Sequence, residues 1–441
     1  MDLTETAARA CIYGFPLVFD LEQVHRFVTS GIGSTPATPY NTFGHARALA
    51  NAGDTFVSIN NDTIYSIAQL DLGVGALVLT VPDTHGRYYV LQFVDAWTNN
   101  FAYVGHRATG TGAGTFWLLP PGDDREVPDG VTAIHVPTRI ASIVGRWACA
   151  GEADLPEVHR LQDATTLTQL DPAAVPAGIP AADQTLPPEL LFLDQVRLWS
   201  QEFPPAPRDL ELQASLAPTG ITDPTSPYAS LDAETAAQLV AGVQQGKAFL
   251  EGILKSGGGG GTQNGWNLTY HVFDYNLDYF EVGTLDDPAF TITDPQVRIG
   301  TRAAAALGGL WGNHGYEAAY IMSYVDGDGQ QLTGAHTYTL RLDPTPPVGA
   351  FWSLTMYDVP DFFLVDNPID RYSIGDRTPG LVVADDGSVT ITLSRDEPAD
   401  PTARANWLPT PAGDFRPILR MYEPDPSVLE GKYVVPAFVR A

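Results

Sequence analysis

Cysteine is scarce in this 441-residue chain: Cys11 and Cys149 are its only two, and both stand in apolar surroundings, ACIYGF and WACAG. That excludes a disulfide framework and predicts two buried free thiols. Basic side chains are scarce too, 24 against 52 acidic ones, for a formal charge of −28. Such a surface repels phosphate backbones and anionic lipid, so neither nucleic acid nor a membrane is an expected partner. No apolar run reaches membrane-spanning length, and the opening MDLTETAARACIYGF carries acids where a secretory signal carries Lys or Arg, so a soluble cytoplasmic protein is expected. Also missing are Gly-x-Ser-x-Gly, Cys-x-x-Cys, His-Glu-x-x-His and a helix-opening Gly-x-Gly-x-x-Gly. Serine-hydrolase, zinc-protease and dinucleotide chemistry therefore lack local support.

What is present is enough apolar material, 44% of residues, to fill more than one core. Thr4 to Phe27 has a helical stripe with Thr4 as cap, interrupted near Pro16. From Tyr65 to Pro120 the texture turns to β-branched and aromatic runs, ALVLTVP, RYYVLQFVD, FAYVGH and TFWLLPPG, punctuated by Gly and Pro. Helical periodicity occupies residues 155 to 256, and the glycines from Gly257 to Gly261 suit a flexible connection, because no Lys-Ser or Lys-Thr follows to make a phosphate loop. Asp294 and Pro295 open another helix, after which strand-like runs return, with Asp326-Gly327 and Asp386-Gly387 where hairpin turns belong. The expected fold is α+β: two antiparallel β-sandwich-like domains of related topology with a helical insert and an N-terminal helix. Their boundaries are 1–150, 151–265 and 266–441.

The two β-rich regions carry a weak internal duplication. Asp62-x-x-Tyr65 is followed by RYYVLQFVD ending at Asp95, then by Gly105-His106-Arg107. Glu317-x-x-Tyr320 is followed by AFWSLTMYD ending at Asp358, then by Gly375-Asp376-Arg377. The order of acid-x-x-Tyr, aromatic strand closing in Asp, and Gly-x-Arg is the same in both.

The segments NNDTIYS, GRYYVLQFVDAWTNNFAYVG, GLWGNHGYEAAYIMSYVDGDGQQLTGAHTYTLRL, PPVGAFWSLTMYD, NPIDRYSIGDR and NWLPTPAGDF resemble a two-part bacterial family, the domains of unknown function numbered 1254 and 1214. The resemblance implies two β-sandwich-like halves with helical segments packed between and around them. It implies no reaction.

Three groups of side chains could carry chemistry. NNDTIYS sets Asn60, Asn61, Asp62 and Tyr65 in what otherwise reads as the entry to a buried strand. A buried carboxylate there needs hydrogen bonds or an arginine, with Arg107 and Arg377 as partners within their own copies, and a structural clamp explains the cluster as well as a functional site does. Arg371, Tyr372, Asp376 and Arg377 in NPIDRYSIGDR, with Trp407 beyond, offer arginine forks beside aromatic planes, which suit a carboxylate or sugar hydroxyls. Asp95, with Trp97 and Asn99, and Asp358 end buried strands, where a carboxyl can do acid or base work, although capping the next turn is the commoner role. His271-x-x-Asp274 and His314-x-x-Glu317 have the spacing of one helical face but are too short to be specific for a metal. DGDG at 326–329 suits a hairpin better than a calcium loop. No metal and no cofactor is expected.

The leading expectation is an enzyme acting on a small polar organic molecule, by hydrolysis or elimination, in a cleft between the two β-domains. Asp62, Tyr65, Asp95 and Asp358 would be its acid–base groups; Asn60, Asn61, Trp97, Asn99, Arg371, Tyr372, Asp376, Arg377 and Trp407 would bind substrate. The alternative is a non-catalytic binding protein for a sugar-like or acidic metabolite, and a scaffold without ligand is the third reading. A homo-oligomer is compatible with each.

Overall fold

A computed structural model describes residues 2–33, 35–54, 58–255 and 261–441. The expected glycine connection, Gly257 to Gly261, lies outside the described residues except for Gly261. The first helix spans Leu3–Ser30 and is capped by Asp2 rather than Thr4, the Asp2 carboxylate accepting from the Glu5 amide at 2.7 Å. It packs against the helices Pro188–Glu202, Ala233–Lys255 and Pro295–Gly309. A Cβ at Gly242 would lie 2.3 Å from the Thr4 carbonyl oxygen and one at Gly246 2.7 Å from Cβ of Cys11. The bare backbone of the Ala233–Lys255 helix thus lets the two helices cross at contact distance. Cys11 is sealed at that crossing, and burial pushes its thiol up to about 12, which makes it inert at neutral pH. Among the described residues no helix is long and apolar enough to cross a membrane.

The strands, numbered in chain order, are β1 Phe43–His45, β2 Thr63–Asp71, β3 Leu77–Val81, β4 Tyr89–Asp95, β5 Asn100–Gly105, β6 Gly114–Leu119, β7 Thr132–His135, β8 Ile140–Ala148 and β9 Thr166–Gln169 in the first half. The second half has β10 Thr262–Gln263, β11 Trp266–Leu268, β12 Ala318–Ser323, β13 Tyr338–Leu342, β14 Val348–Asp358, β15 Ser373–Gly375, β16 Val389–Ser394, β17 Trp407–Pro409, β18 Phe415–Pro424 and β19 Val439–Arg440. Each half builds one larger and one smaller sheet, in the orders β1-β2-β8-β4-β5 with β7-β6-β3-β9, and β10-β11-β12-β18-β14-β15 with β17-β16-β13-β19. The smaller sheets share even their irregularity: β6/β7 and β16/β17 pair in parallel, while their other pairs among the described residues are antiparallel. β9 falls inside the segment expected to be a helical insert, yet it pairs with β3, so the first sandwich runs past residue 150.

The register makes the duplication residue-exact. Tyr65 faces Arg146, which faces Val90, which faces Gly105. Tyr320 faces Arg420, which faces Ser353, which faces Gly375. Counting on from those rows, Asp95 corresponds to Asp358 and Arg107 to Arg377. The Gly-x-Arg motif has a steric cause: a Cβ at Gly105 would lie 2.2 Å from the Tyr89 carbonyl oxygen, and one at Gly375 2.1 Å from that of Trp352.

The two larger sheets lie face to face, so both of their faces are covered, one by the smaller sheet and one by the other half. Hence β4 and β8 are buried along their whole length and lack the polar alternation of a half-exposed strand. The outward positions that meet across this interface include Tyr88, Arg146 and Tyr65 from the first half and Tyr422, Arg420, Ser353 and Tyr320 from the second. Helices flank the interface and do not separate the sheets; Phe27, for example, packs on Ile67 and Val144.

Candidate active site between the two halves

NNDTIYS enters this interface. Asp62 is buried, and its Oδ2 accepts from the Ser353 hydroxyl at 2.6 Å and the Tyr422 hydroxyl at 3.3 Å. Asn60 donates to the Tyr422 oxygen at 2.8 Å and to Thr63 at 3.0 Å, while its own carbonyl accepts from the Asp62 amide. Asn61 donates to the Ala50 carbonyl and accepts from Ser373 at 3.1 Å. Arg377, lying over the Phe351 ring at 3.4 Å, donates to the Asp62 backbone carbonyl at 3.0 Å. Tyr65 is half-buried, with the Arg146 guanidinium 5.4 Å from its ring.

The other expected residues sit elsewhere. Both oxygens of Asp95 are occupied by its own turn, Oδ1 accepting from the amides of Trp97 at 2.9 Å and Asn99 at 2.8 Å, and Oδ2 from the Asn99 side chain at 2.9 Å. Burial nevertheless raises Asp95 to about 6. Trp97 lies in the helical core and donates to the Phe203 carbonyl at 2.8 Å. Asp358 accepts from the Phe363 amide at 2.7 Å, a turn cap. Arg371 turns away from NNDTIYS and donates to the Ala405 and Trp407 carbonyls at 3.0 and 2.9 Å. Tyr372 meets Asp370 at 3.4 Å, Asp376 is exposed and receives the Trp352 amide at 3.3 Å, and Trp407 is buried with its indole on the Ser394 carbonyl. A site uniting NNDTIYS with Arg371 is therefore corrected: Arg377 and Ser373 make that junction.

The arginine partners are corrected as well, because they are exchanged between the copies. Arg107 does not meet Asp62; its Nε donates to Oε2 of Glu317 at 2.6 Å, and the Tyr88 hydroxyl donates to Oε1 at 3.0 Å. Burial raises Glu317 above the ordinary carboxyl range; Arg107 opposes the rise and nearby Glu423 adds to it. The guanidinium lies 4.8 Å from the Tyr316 ring, and its Nη2 donates to the Gly283 carbonyl at 2.6 Å.

Arg107 and Tyr316 also line a cleft of about 500 Å³ between the halves, together with Val348, Gly349, Glu423 and Asp425. Glu423, which lines this cleft, has its Oε1 2.7 Å from Nδ1 of His106, a contact that joins the first half to the second. Glu423 holds a left-handed φ of 53°, which costs a non-glycine residue energy and tends to mark functional positions. Gly349 makes room for its carboxylate: a Cβ there would lie 3.0 Å from Oε2. Among the described residues Nε2 of His106 has no hydrogen-bond partner. A carboxylate that accepts a hydrogen bond from Nδ1–H holds the tautomer whose Nε2 lone pair is free, the arrangement of a general base. Deeper in, Nδ1 of His314 is 2.8 Å from the Tyr316 hydroxyl and 3.2 Å from that of Tyr103, and burial lowers this imidazole to about 4.

Among the described residues no group of three or more His, Cys, Asp or Glu side chains converges as metal ligands would. Neither histidine pair lies on a helix. His271 meets Asp274 at 2.6 Å and the Leu429 carbonyl at 3.1 Å, beside a second cavity of about 400 Å³. DGDG forms a hairpin turn, with Val325 bridged to Gln331.

Sequence reasoning missed the roles of His106, Glu423, Arg146, Arg420, Tyr316 and Tyr422. For the arginines a signal existed, because IVGRW and PILRM extend the repeat one strand further than the motifs compared. For His106 and Glu423 there was none, since neither has a counterpart of its own type in the other copy.

A solved structure shares the fold. A crystal structure of the VPA0106 protein from Vibrio parahaemolyticus is similar over 100% of both chains, with a TM-score of 0.74 and 22% identity. A protein from Burkholderia cenocepacia gives a TM-score of 0.46 at 12% identity, over 100% of this chain and 94% of the other. No curated protein matches. The family model described as "Protein of unknown function (DUF1254)" matches residues 40–169, and that described as "Protein of unknown function (DUF1214)" matches residues 317–426, the cores of the two sandwiches. With both models matched, in order and over more than half of its length, the chain belongs to the two-part family of DUF1254 and DUF1214 domains.

Proposed function

We propose that the protein is an enzyme that transfers protons on a small polar organic molecule bound in the cleft between its halves, in an elimination or a hydrolysis. The observation that carries this reading is the His106–Glu423 pair, 2.7 Å apart across the halves, with Glu423 in a strained conformation. His106 Nε2 is the base, Glu423 orients the imidazole, and Arg107 presents a guanidinium edge to an anionic or hydroxyl-bearing part of the substrate. The Arg107–Glu317 pair fixes that guanidinium and so sets where the substrate sits relative to His106.

A second reading, a non-catalytic binding protein for an acidic metabolite, is favoured by one observation: the oxygens of Asp62 and Asp95 that accept hydrogen bonds do so from the fold itself. A panel of small polar metabolites, read by thermal shift and then by product formation, decides between them. The enzyme reading expects a stabilising compound that is converted by the wild type, and conversion lost in His106→Gln and reduced in Glu423→Gln at unchanged melting temperature. A stabilising compound that is never converted leaves the binding reading, and conversion that survives His106→Gln overturns the role of the dyad.

A further inference from the structure

Charge is unevenly distributed around the cleft between the halves. Its cationic wall residue, Arg107, is already paired with Oε2 of Glu317 through Nε at 2.6 Å, so the guanidinium charge is cancelled in place. Nη2 is engaged as well, by the Gly283 carbonyl at 2.6 Å. That leaves Nη1 as the edge without a hydrogen-bond partner among the described residues. The two acids on the wall, Glu423 and Asp425, meet no Lys or Arg among the described residues. Glu423 is joined only by His106, whose imidazole is neutral when it serves as a base. Asp425 accepts from the Ser427 amide at 2.9 Å, and hydrogen bonds from Ser427 hold its carboxyl below the usual range, so it is ionised at neutral pH.

The backbone holds Glu423 in this place. Val348 pairs with Pro424 and Phe351 with Tyr422, so Gly349 and Ala350 stand opposite Glu423 alone, a β-bulge of two residues against one. Glu423 meets the bulge with its left-handed φ of 53°. Its Oε2 lies 3.0 Å from where a Cβ of Gly349 would be, beside a residue of the cleft wall, and it accepts no hydrogen bond among the described residues. Much of the remaining wall, Pro347, Val348 and Pro424, is apolar. Such a surround lowers the local dielectric and strengthens the pull of an uncompensated carboxylate on a cation.

We propose that the cleft takes a small hydroxylated amine, an amino alcohol or amino sugar in its ammonium form, with the ammonium held by Glu423 Oε2 and Asp425 and a hydroxyl by Nη1 of Arg107. The inference rests on the reading of this cleft as the substrate site, and it narrows the substrate from polar molecules in general to cations. An acid is disfavoured, because it would meet two carboxylates and a guanidinium whose charge Glu317 already cancels. The field of a chain with a formal charge of −28 acts in the same direction.

The test compares three acyclic six-carbon polyols that differ at one carbon: the amine glucamine, neutral sorbitol and the acid gluconate. Each is titrated into the full chain at neutral pH and matched ionic strength, and the saturable rise in melting temperature is read. Glucamine is expected to bind about tenfold or more tighter than sorbitol, and gluconate to give no saturable rise. Glu423→Gln keeps an acceptor for His106 and should weaken glucamine about tenfold while leaving sorbitol within about twofold. If that variant does not fold, Asp425→Asn changes an exposed acid and should weaken glucamine about threefold, whereas Asp183→Asn, an exposed acid outside the cleft, should not weaken it. Gluconate binding as tightly as glucamine, no saturable response to glucamine, or a response unchanged in both cleft variants overturns the proposal. The enzyme reading fails separately. Glucamine bound with this charge preference while no amine is converted keeps the inference and removes the catalysis, and conversion of an acid that is lost in His106→Gln does the reverse.

Discussion

Arg107 and Glu317, 210 residues apart in the chain, form an ion pair of 2.6 Å that ties the first sandwich to the second. The corresponding arginine of the other copy, Arg377, crosses in the opposite sense to the backbone of Asp62. The duplicated motif therefore acts as an exchange of arms: each Gly-x-Arg hook leaves its own sheet and closes on the acid segment of its partner. Neither copy satisfies its acid-x-x-Tyr segment alone, which makes the association of the halves part of folding.

Arg107→Met removes the cation from a carboxylate that is 1% exposed, and a loss of about 3 kcal/mol or more is expected in urea unfolding. Glu317→Gln should cost less, and the double variant should recover about 1–2 kcal/mol relative to the sum of the singles. Strictly additive losses would show that the two side chains are not coupled.

Asp95 titrates at about 6 in the fold and near ~3.9 when unfolded, so the folded chain holds the proton more tightly. Its contribution is most favourable at or below about pH 4 and falls by about 3 kcal/mol as the pH rises towards 6. Asp95→Asn keeps an acceptor for the Trp97 and Asn99 amides and should remove this slope from a stability-against-pH series. A slope that persists in the variant would assign it to other carboxyls.

Both ring nitrogens of His271 face acceptors, Asp274 and the Leu429 carbonyl, and only the imidazolium can donate to both. The hydrogen bond to Asp274 raises its pKa above the ordinary value. The stabilisation is complete below the unfolded pKa of about 6.5 and is lost as the pH rises through the higher folded one. At 43% exposure the effect is small, and it appears as a wild-type melting temperature that declines faster than that of His271→Gln on the alkaline side of neutrality. Parallel curves would mean that the contact does not bind a proton.

Asp62→Asn disturbs a buried acceptor of two hydroxyls and should cost about 1–3 kcal/mol, lowering the melting temperature without ligand by a few degrees. Arg371→Lys loses a fork on the Ala405 and Trp407 carbonyls and should leave every ligand response unchanged. An altered ligand response in Arg371→Lys would place that loop at a site after all.

The repeat was legible because it rests on sterics and strand chemistry: glycines that exclude a Cβ, aromatic strands and a closing Asp leave a record in residue type. The helix opened by Asp294 and Pro295 was legible for the same local reason. β9 was not, since TLTQ is too short to signal a strand, and its pairing with β3 is decided by where the chain returns. Turn capping, the commoner role for such carboxyls, is what Asp95 and Asp358 do, with donors only two to five residues away.

By itself the sequence determined the two-sandwich class, the buried thiols and the duplicated order of motifs, because these follow from local periodicity, burial preference and backbone sterics. Only the tertiary structure decided who pairs with whom. Arg107 could meet Asp62 or Glu317 with equal chemistry, and the face-to-face packing of the two central sheets puts it against Glu317. The same packing brings His106 to Glu423, a pairing between residues hundreds of positions apart that no local rule encodes.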